Sequence, residues 1–159
     1  MEPMRFTRIV AILALTVAGF GQAVVPYGTS VSPDVAKKAA AAAIAEAKKN
    51  NWAMAVAIVD TAGYLVYFER MPETQYASVE IAIEKAKSAA LFRRPTKVFQ
   101  DGVAGGGVGL RILGLKGAVP VEGGIPLMEG GKVIGAIGAS GGSSDQDGKT
   151  AEAGAGTVK

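Results

Sequence analysis

The stretch from Gly117 to Gly142 constrains the fold more than any other part of this 159-residue chain. Its sequence is GAVPVEGGIPLMEGGKVIGAIGASGG, in which short apolar runs alternate with Gly-Gly pairs. Short runs that are rich in Val and Ile and bounded by glycine are typical of β-strands. Gly130-Gly131 predicts a tight hairpin, because glycine adopts positive φ without steric cost. We therefore predict three strands here, with backbones that lie close to a neighbouring element or to a ligand.

A helix and a β-hairpin precede this stretch. Ser32-Pro33-Asp34 is typical of a helix start, with Ser as the N-cap, Pro at the first helical position and an acid in the first turn. The alanine-rich pattern that follows predicts a helix to about Lys49. Met54–Asp60 and Tyr64–Arg70 are two apolar runs separated by turn residues, so they predict two antiparallel strands.

A second helix is predicted from Tyr76 to Phe92, because proline at position 95 disfavours α geometry in the residue before it. Its helical periodicity predicts an outward-facing Ser88. The glycines within Thr96–Lys116 favour a flexible loop with a short helical turn near its end. Ser143-Ser144-Asp145 predicts the start of a last helix. The whole order predicts an α/β (α+β) sandwich, with a largely antiparallel sheet of about five strands covered by helices.

The N-terminus has the pattern of a signal peptide. Arg5 and Arg8 precede the apolar run from Ile9 to Phe20, and small residues lead to Ala23. The run has about a dozen residues, which suits a signal h-region and falls short of the roughly 20 that a membrane-spanning helix needs. We expect residues 1–23 to be a signal peptide cleaved after Ala23, residues 24–159 to form a single domain, and the mature protein to be periplasmic or secreted.

Composition excludes several classes of chemistry. The chain contains no Cys and no His, so disulfides, thiol nucleophiles, Cys/His zinc sites and Ser-His catalytic pairs are impossible. The net charge is only +3 and its cations are scattered, so we expect no nucleic-acid partner. Gly148-Lys149-Thr150 ends like a phosphate-binding loop, but Ser143 stands where that motif needs its first glycine. We predict no catalytic residue and no metal site.

Five strings in the chain resemble the GlcG/HbpS family of haem-binding and haem-degrading-like proteins, which also occurs as the C-terminal domain of PduO-type proteins. They are Ala57-Ile58-Val59-Asp60-x-x-Gly63, Ala82-x-x-Lys85-Ala86-x-x-Ala89, Phe92-Arg93-Arg94-Pro95-Thr96, Gly123-Gly124-Ile125-Pro126, and Gly135 to Gly142 followed by Gln146-Asp147. The resemblance implies an α/β sandwich and compact homo-oligomers. For some members it also implies haem bound at a surface or inter-subunit site.

The resemblance implies haem as the cofactor and suggests which residues would bind it. His is the usual protein ligand of haem iron, and this chain has none. The resemblance also allows a Thr ligand and so implies Thr96, in the Arg-Arg-Pro-Thr string, as the candidate iron ligand. Arg93 and Arg94 are candidate partners of the haem propionates. The structural alternatives are a loop hydroxyl for Thr96 and a helix-end role for the two arginines. Other possible ligands are Tyr67, Met71, Tyr76 and Met128.

We therefore expect an exported, homo-oligomeric protein that binds, senses or scavenges haem without strong catalysis of its own. Weak axial ligation would leave the haem labile, which suits a sensor or scavenger better than an oxygenase. One alternative is a small-metabolite binder or enzyme that uses the glycine-rich edges near Gly123-Gly124 and Gly138–Gly142. Another is an accessory subunit of a periplasmic redox complex, with a periplasmic or membrane redox or sensor protein as its partner.

Overall fold

The computed structural model describes residues 24–158, so the predicted signal peptide and its cleavage point lie outside the described part. The helices are α1 (Pro33–Lys49), α2 (Ala77–Phe92), α3 (Lys97–Ala104) and α4 (Ser144–Ala155). The strands are β1 (Ala55–Val59), β2 (Leu65–Arg70), β3 (Gly124–Glu129) and β4 (Lys132–Ser140). A 3-10 segment covers Gly107–Gly114.

The four strands form one sheet in the order β2-β1-β4-β3, and each pairing is antiparallel. This confirms the predicted α+β sandwich, but the described sheet has four strands rather than five. The missing strand is residues 117–121, the first apolar run of the glycine-rich stretch. Side chains bind the backbone there: Val119 N–H donates to Ser88 Oγ (3.0 Å) and Glu122 N–H donates to Gln100 Oε1 (2.9 Å). These bonds replace the ladder that a strand would make.

Both predicted hairpins are confirmed. In the β1–β2 turn, the Asp60 carboxylate accepts from the N–H groups of Ala62 and Tyr64, each at 2.9 Å. In the β3–β4 turn, Gly130 and Gly131 have φ values of 54° and 74°, a left-handed conformation that glycine adopts without a Cβ clash. The local turn chemistry therefore sets the register of both strand pairs.

Helices cover both faces of the sheet. Val56 and Ile58 of β1 pack with α1 and α4 on one face, and Ala55, Ala57 and Val59 pack with α2 on the other. The alanine stripe of α1 is buried as expected, because small side chains let a helix lie close to its neighbours. All of β1 is buried, which matches its position inside the sheet.

The helix α2 packs directly against the backbone of β4, and glycine makes this possible. A Cβ on Gly138 would overlap the carbonyl oxygen of Ala82 and lie 3.0 Å from the side chain of Ala86. The buried face of α2 is accordingly made mainly of small residues around Lys85, and it includes Ser88, which the helical pattern placed in solvent. That prediction is wrong, because the helix face that meets the sheet also includes Ala82, Lys85 and Ala89, which brings Ser88 inside.

Residues 97–104 form α3 and not the predicted loop, whereas the short helical turn after them is confirmed as the 3-10 segment. The glycines there serve close packing. A Cβ on Gly102 would lie 2.7 Å from Ile112 Cδ1, and one on Gly109 would overlap the carbonyl of Gly102. The 3-10 segment therefore packs directly against α3. The glycines that suggested a flexible loop allow this close contact instead.

Candidate functional site at the end of helix α2

Arg93 ends α2 and ties the N-terminal segment to it. The residue is in the left-handed conformation (φ 53°, ψ 40°), and its N–H donates to Ala90 O at 3.3 Å. Its guanidinium donates to Val25 O at 2.9 Å and lies 5.1 Å from the centre of the Tyr27 ring. Arg93 thus both terminates the helix and fixes Val25 and Tyr27 beside it.

Tyr27 completes the cap of α2. Its hydroxyl lies 3.0 Å from Ala90 O and 3.1 Å from Leu91 O, so it can donate to either carbonyl of the last turn. The last carbonyls of a helix have no partner within the helix, so a phenol at this position stabilises its end. The side chain of Tyr27 nevertheless remains 43% exposed. It forms an aromatic wall at the end of α2.

Arg94 is exposed and directly follows Arg93 at the end of α2. Its Nε donates to Phe92 O at 3.1 Å, and its guanidinium lies 5.8 Å from the centre of the Phe99 ring. Phe92 and Phe99 meet edge to face, with ring centres 5.1 Å apart. A guanidinium has five N–H donors. Arg94 can therefore hold its place at the helix end and still bind an anion.

Thr96 lies beneath this surface and is fully buried. Its Oγ1 accepts from Gly124 N–H and its own N–H donates to Gly124 O, both at 2.9 Å. The residue therefore docks the loop after α2 onto the first residue of β3. Thr96 as an iron ligand stays a prediction, and iron binding would compete with the hydrogen bond from Gly124 N–H.

A buried ion pair, formed by Lys85 and Asp147, lies in the interior next to Gly123 and Gly124. Lys85 Nζ donates to Asp147 Oδ2 at 2.6 Å and to Ala139 O at 3.3 Å, and the two charged side chains are 1% and 4% exposed. The other carboxylate oxygen of Asp147 accepts from Gly142 N–H at 3.0 Å. Gly123 has no space for a side chain, because a Cβ there would lie 2.8 Å from Asp147 Cβ and 3.0 Å from Lys85 Nζ.

The Lys85–Asp147 pair is a strong electrostatic constraint. Burial raises the pKa of the Asp147 carboxyl, against the opposing effects of Lys85 and the Gly142 N–H. A buried charge is tolerated when it is paired and hydrogen-bonded, as both are here. The sequence analysis missed this pair. Lys85 stands between alanines on the buried face of α2, and both residues lie in the family strings, which was the available clue.

The other candidate ligands lie elsewhere. The Tyr67 hydroxyl donates to Glu69 Oε2 at 3.2 Å, and this hydrogen bond raises the pKa of Tyr67 and disfavours the phenolate. Tyr76 is 84% exposed at the opposite end of α2. The structure thus brings Arg93, Arg94 and Thr96 together at one end of α2, with the arginines at the surface and the threonine below.

Residues 24–158 contain neither a cluster of metal-binding side chains nor a helix suited to span a membrane. No group of three or more His, Cys, Asp or Glu residues in this range is placed to hold a metal ion. No helix in the same range is long and apolar enough to cross a membrane.

An antiparallel sheet in the order β2-β1-β4-β3, covered on both faces by alanine-rich helices, defines the class as a small α+β sandwich. Within that class, a family model for haem degrading proteins of the HbpS-like type matches residues 31–156. The chain therefore belongs to the HbpS-like family.

Individual proteins agree with this placement. Protein GlcG of Escherichia coli strain K12 is 36% identical over 110 residues, which cover 69% of this chain and 81% of GlcG. A crystal structure of HbpS superposes with a TM-score of 0.75 at 29% identity, covering 83% of this chain and 92% of HbpS. A crystal structure of a PduOC–haem complex gives 0.73 at 29% identity, covering 82% and 96% of the two chains.

Proposed function

We propose that this protein binds haem at the C-terminal end of α2. The observation that carries the proposal is the combination of Arg93 and Arg94 with exposed apolar side chains that are close to them in the chain. Leu91 is 49% exposed and Val98 is 48% exposed, and each lies within a few residues of the arginines. Haem is an apolar disc with two carboxylates, so a surface with apolar groups and two guanidinium groups is complementary to it.

Membership of the HbpS-like family and the likeness to the PduOC–haem complex support this ligand. In the proposed complex, Arg94 binds a propionate with its free N–H donors. Arg93 contributes mainly its charge, because it also donates to Val25 O. The exposed edge of Tyr27 lies against the disc.

Thr96 is the proposed ligand of the iron, and its burial determines how strongly it can bind. Iron would compete with Gly124 N–H for the lone pairs of the buried hydroxyl oxygen, and loss of this hydrogen bond would cost about 1–3 kcal/mol. We therefore expect weak ligation and an exchangeable haem. Exchange suits a protein that carries or senses haem.

We further propose that the protein acts after export and as a homo-oligomer. The N-terminal sequence pattern supports export. Apolar side chains on the 3-10 segment support self-association: Val108 is 82% exposed and Leu113 is 63% exposed. Mass spectrometry of the N-terminus of exported protein tests cleavage after Ala23, and an intact Met1 would contradict it. Size-exclusion chromatography with light scattering tests the oligomer, and a monomer at micromolar concentration would contradict it.

The direct test of the ligand is a hemin titration followed at the Soret band. The wild-type protein should give a saturable Soret shift. The double variant Arg94→Ala, Thr96→Ala should lose or weaken this shift, because both the proposed propionate partner and the proposed iron ligand are removed. Absence of any shift in the wild-type protein would contradict haem binding. An unchanged shift in the double variant would contradict the proposed site while leaving haem binding intact.

A further inference from the structure

A cavity lies at the end of α2 opposite the proposed haem surface, where β2 ends. Its volume is about 450 Å³, within the range of about 300–1,000 Å³ that small-molecule sites occupy. It is lined by Arg70, Pro72, Glu73, Thr74, Gln75 and Tyr76. Because α2 has 16 residues, it is about 24 Å long. The cavity is therefore well separated from the proposed haem surface.

Thr74 indicates that this cavity takes a polar ligand. The residue is only 6% exposed, and its Oγ1 has no hydrogen-bond partner within residues 24–158. Its backbone N–H is already used, since it donates to Met71 O. Buried hydroxyl groups are nearly always hydrogen-bonded, so an unpartnered one beside a cavity points to a group bound from outside.

The charges around the cavity favour an anion. The guanidinium of Arg70 lies 5.1 Å from the centre of the exposed Tyr76 ring, a stacked arrangement that leaves the N–H donors at its edge free to bind a carboxylate. The N-terminus of α2 at Ala77 adds a partial positive charge. Glu73 is the one opposing charge among the lining residues. The positive charge at this cavity is therefore small, because Glu73 offsets part of the charge of Arg70 and of the helix N-terminus. This favours a monoanion over a phosphate dianion.

We propose that this cavity binds a small monocarboxylate with an apolar body. The carboxylate accepts from Arg70 and from the hydroxyl of Thr74. The apolar body packs against Tyr76 and Pro72. This site does not depend on haem, and neither Arg93, Arg94 nor Thr96 contributes to it.

Benzoate is a suitable probe, with benzamide as its neutral control. In ¹⁵N-resolved NMR spectra, benzoate should produce saturable shifts of the amides of Thr74, Gln75 and Ala77, and benzamide should not. Arg70→Ala should weaken benzoate binding about tenfold or more, since a charge-assisted pair is lost. Arg111→Ala removes an exposed arginine on the 3-10 segment and should leave benzoate binding unchanged.

The variant Thr74→Val distinguishes a loss of benzoate binding from a loss of protein stability. It removes the unpartnered hydroxyl but nearly keeps the side-chain shape, so benzoate binding should weaken while the thermal midpoint does not fall. Equal shifts with benzoate and benzamide, or an unchanged affinity in Arg70→Ala, would overturn the proposal. If benzoate gave no saturable amide shift in the wild-type protein, the proposal would also be overturned, and the cavity would be taken to hold water. The hemin spectrum should be unaffected by either variant, so this proposal and the haem proposal can fail separately.

Discussion

The Lys85–Asp147 ion pair should be among the most sensitive positions in the fold. The two charged atoms lie 2.6 Å apart and the side chains are 1% and 4% exposed. Lys85→Met removes one charge and leaves the other buried without a partner. Breaking a buried pair in this way costs about 3–5 kcal/mol. Against a total stability of about 5–15 kcal/mol, that is a large fraction. It corresponds to a fall in the thermal midpoint of roughly 10–20 °C.

The same helix provides a matched control. Lys87 pairs with Glu84 at 2.9 Å, but these side chains are 41% and 48% exposed. An exposed pair contributes about 0–1 kcal/mol, so Lys87→Met should change stability very little. Urea unfolding followed by circular dichroism measures both variants. A cost for Lys85→Met that is no larger than that of Lys87→Met would refute the reasoning.

A double-mutant cycle isolates the pair. Lys85→Met, Asp147→Asn should be more stable than the sum of the single costs predicts, because no buried charge is left alone. Additive costs would show that Lys85 and Asp147 are not coupled, and the effect would then be one of side-chain packing alone.

The remaining predictions concern pH and packing. Burial raises the pKa of the Asp147 carboxyl, so the folded protein keeps a proton there at pH values where the unfolded chain has lost it. The contribution of this proton to the free energy of unfolding is fully present below the unfolded pKa of about 3.9. It is lost as the pH rises through the higher pKa of the folded state. In Asp147→Asn the free energy of unfolding should not show this pH dependence. A variant whose free energy of unfolding varies with pH as it does in the wild-type protein would contradict the prediction. Gly138→Ala should cost about 1–3 kcal/mol, because its Cβ overlaps Ala82 O, whereas Gly114→Ala, with no atom within 4 Å, should be tolerated; equal midpoints in thermal unfolding would refute this. Thr96→Val should cost about 1–3 kcal/mol by leaving Gly124 N–H unsatisfied, and Thr96→Ser should restore most of it; equal stability of both variants in urea would count against that hydrogen bond.

The sequence predicted best what depends on neighbouring residues. The start of α1 at Ser32-Pro33, the turn at Asp60 and the hairpin at Gly130-Gly131 each depend on local chemistry, and each was predicted correctly. The three haem candidates also ended up together, since Arg93, Arg94 and Thr96 are almost consecutive. Their division into surface and buried residues could not be predicted, because it depends on β3, which follows much later in the chain.

What the sequence did not predict depends on contacts between distant residues. Lys85 and Asp147 are 62 positions apart, and no local pattern links them. Residues 97–104 contain glycine, which usually disfavours a helix, but Gly102 is needed for contact with the 3-10 segment. Residues 117–121 have the composition of a strand, yet the N–H of Val119 donates to Ser88 Oγ and not to a neighbouring strand. Tertiary packing overrode local preference in both segments.

The most direct test of the central claim compares hemin affinity in two arginine variants. Arg94→Ala removes the exposed guanidinium at the end of α2, and Arg111→Ala removes an exposed guanidinium on the 3-10 segment. Soret titrations should show about tenfold weaker binding for Arg94→Ala, and binding equal to wild type for Arg111→Ala. Equal affinities in all three proteins would contradict haem binding at the end of α2.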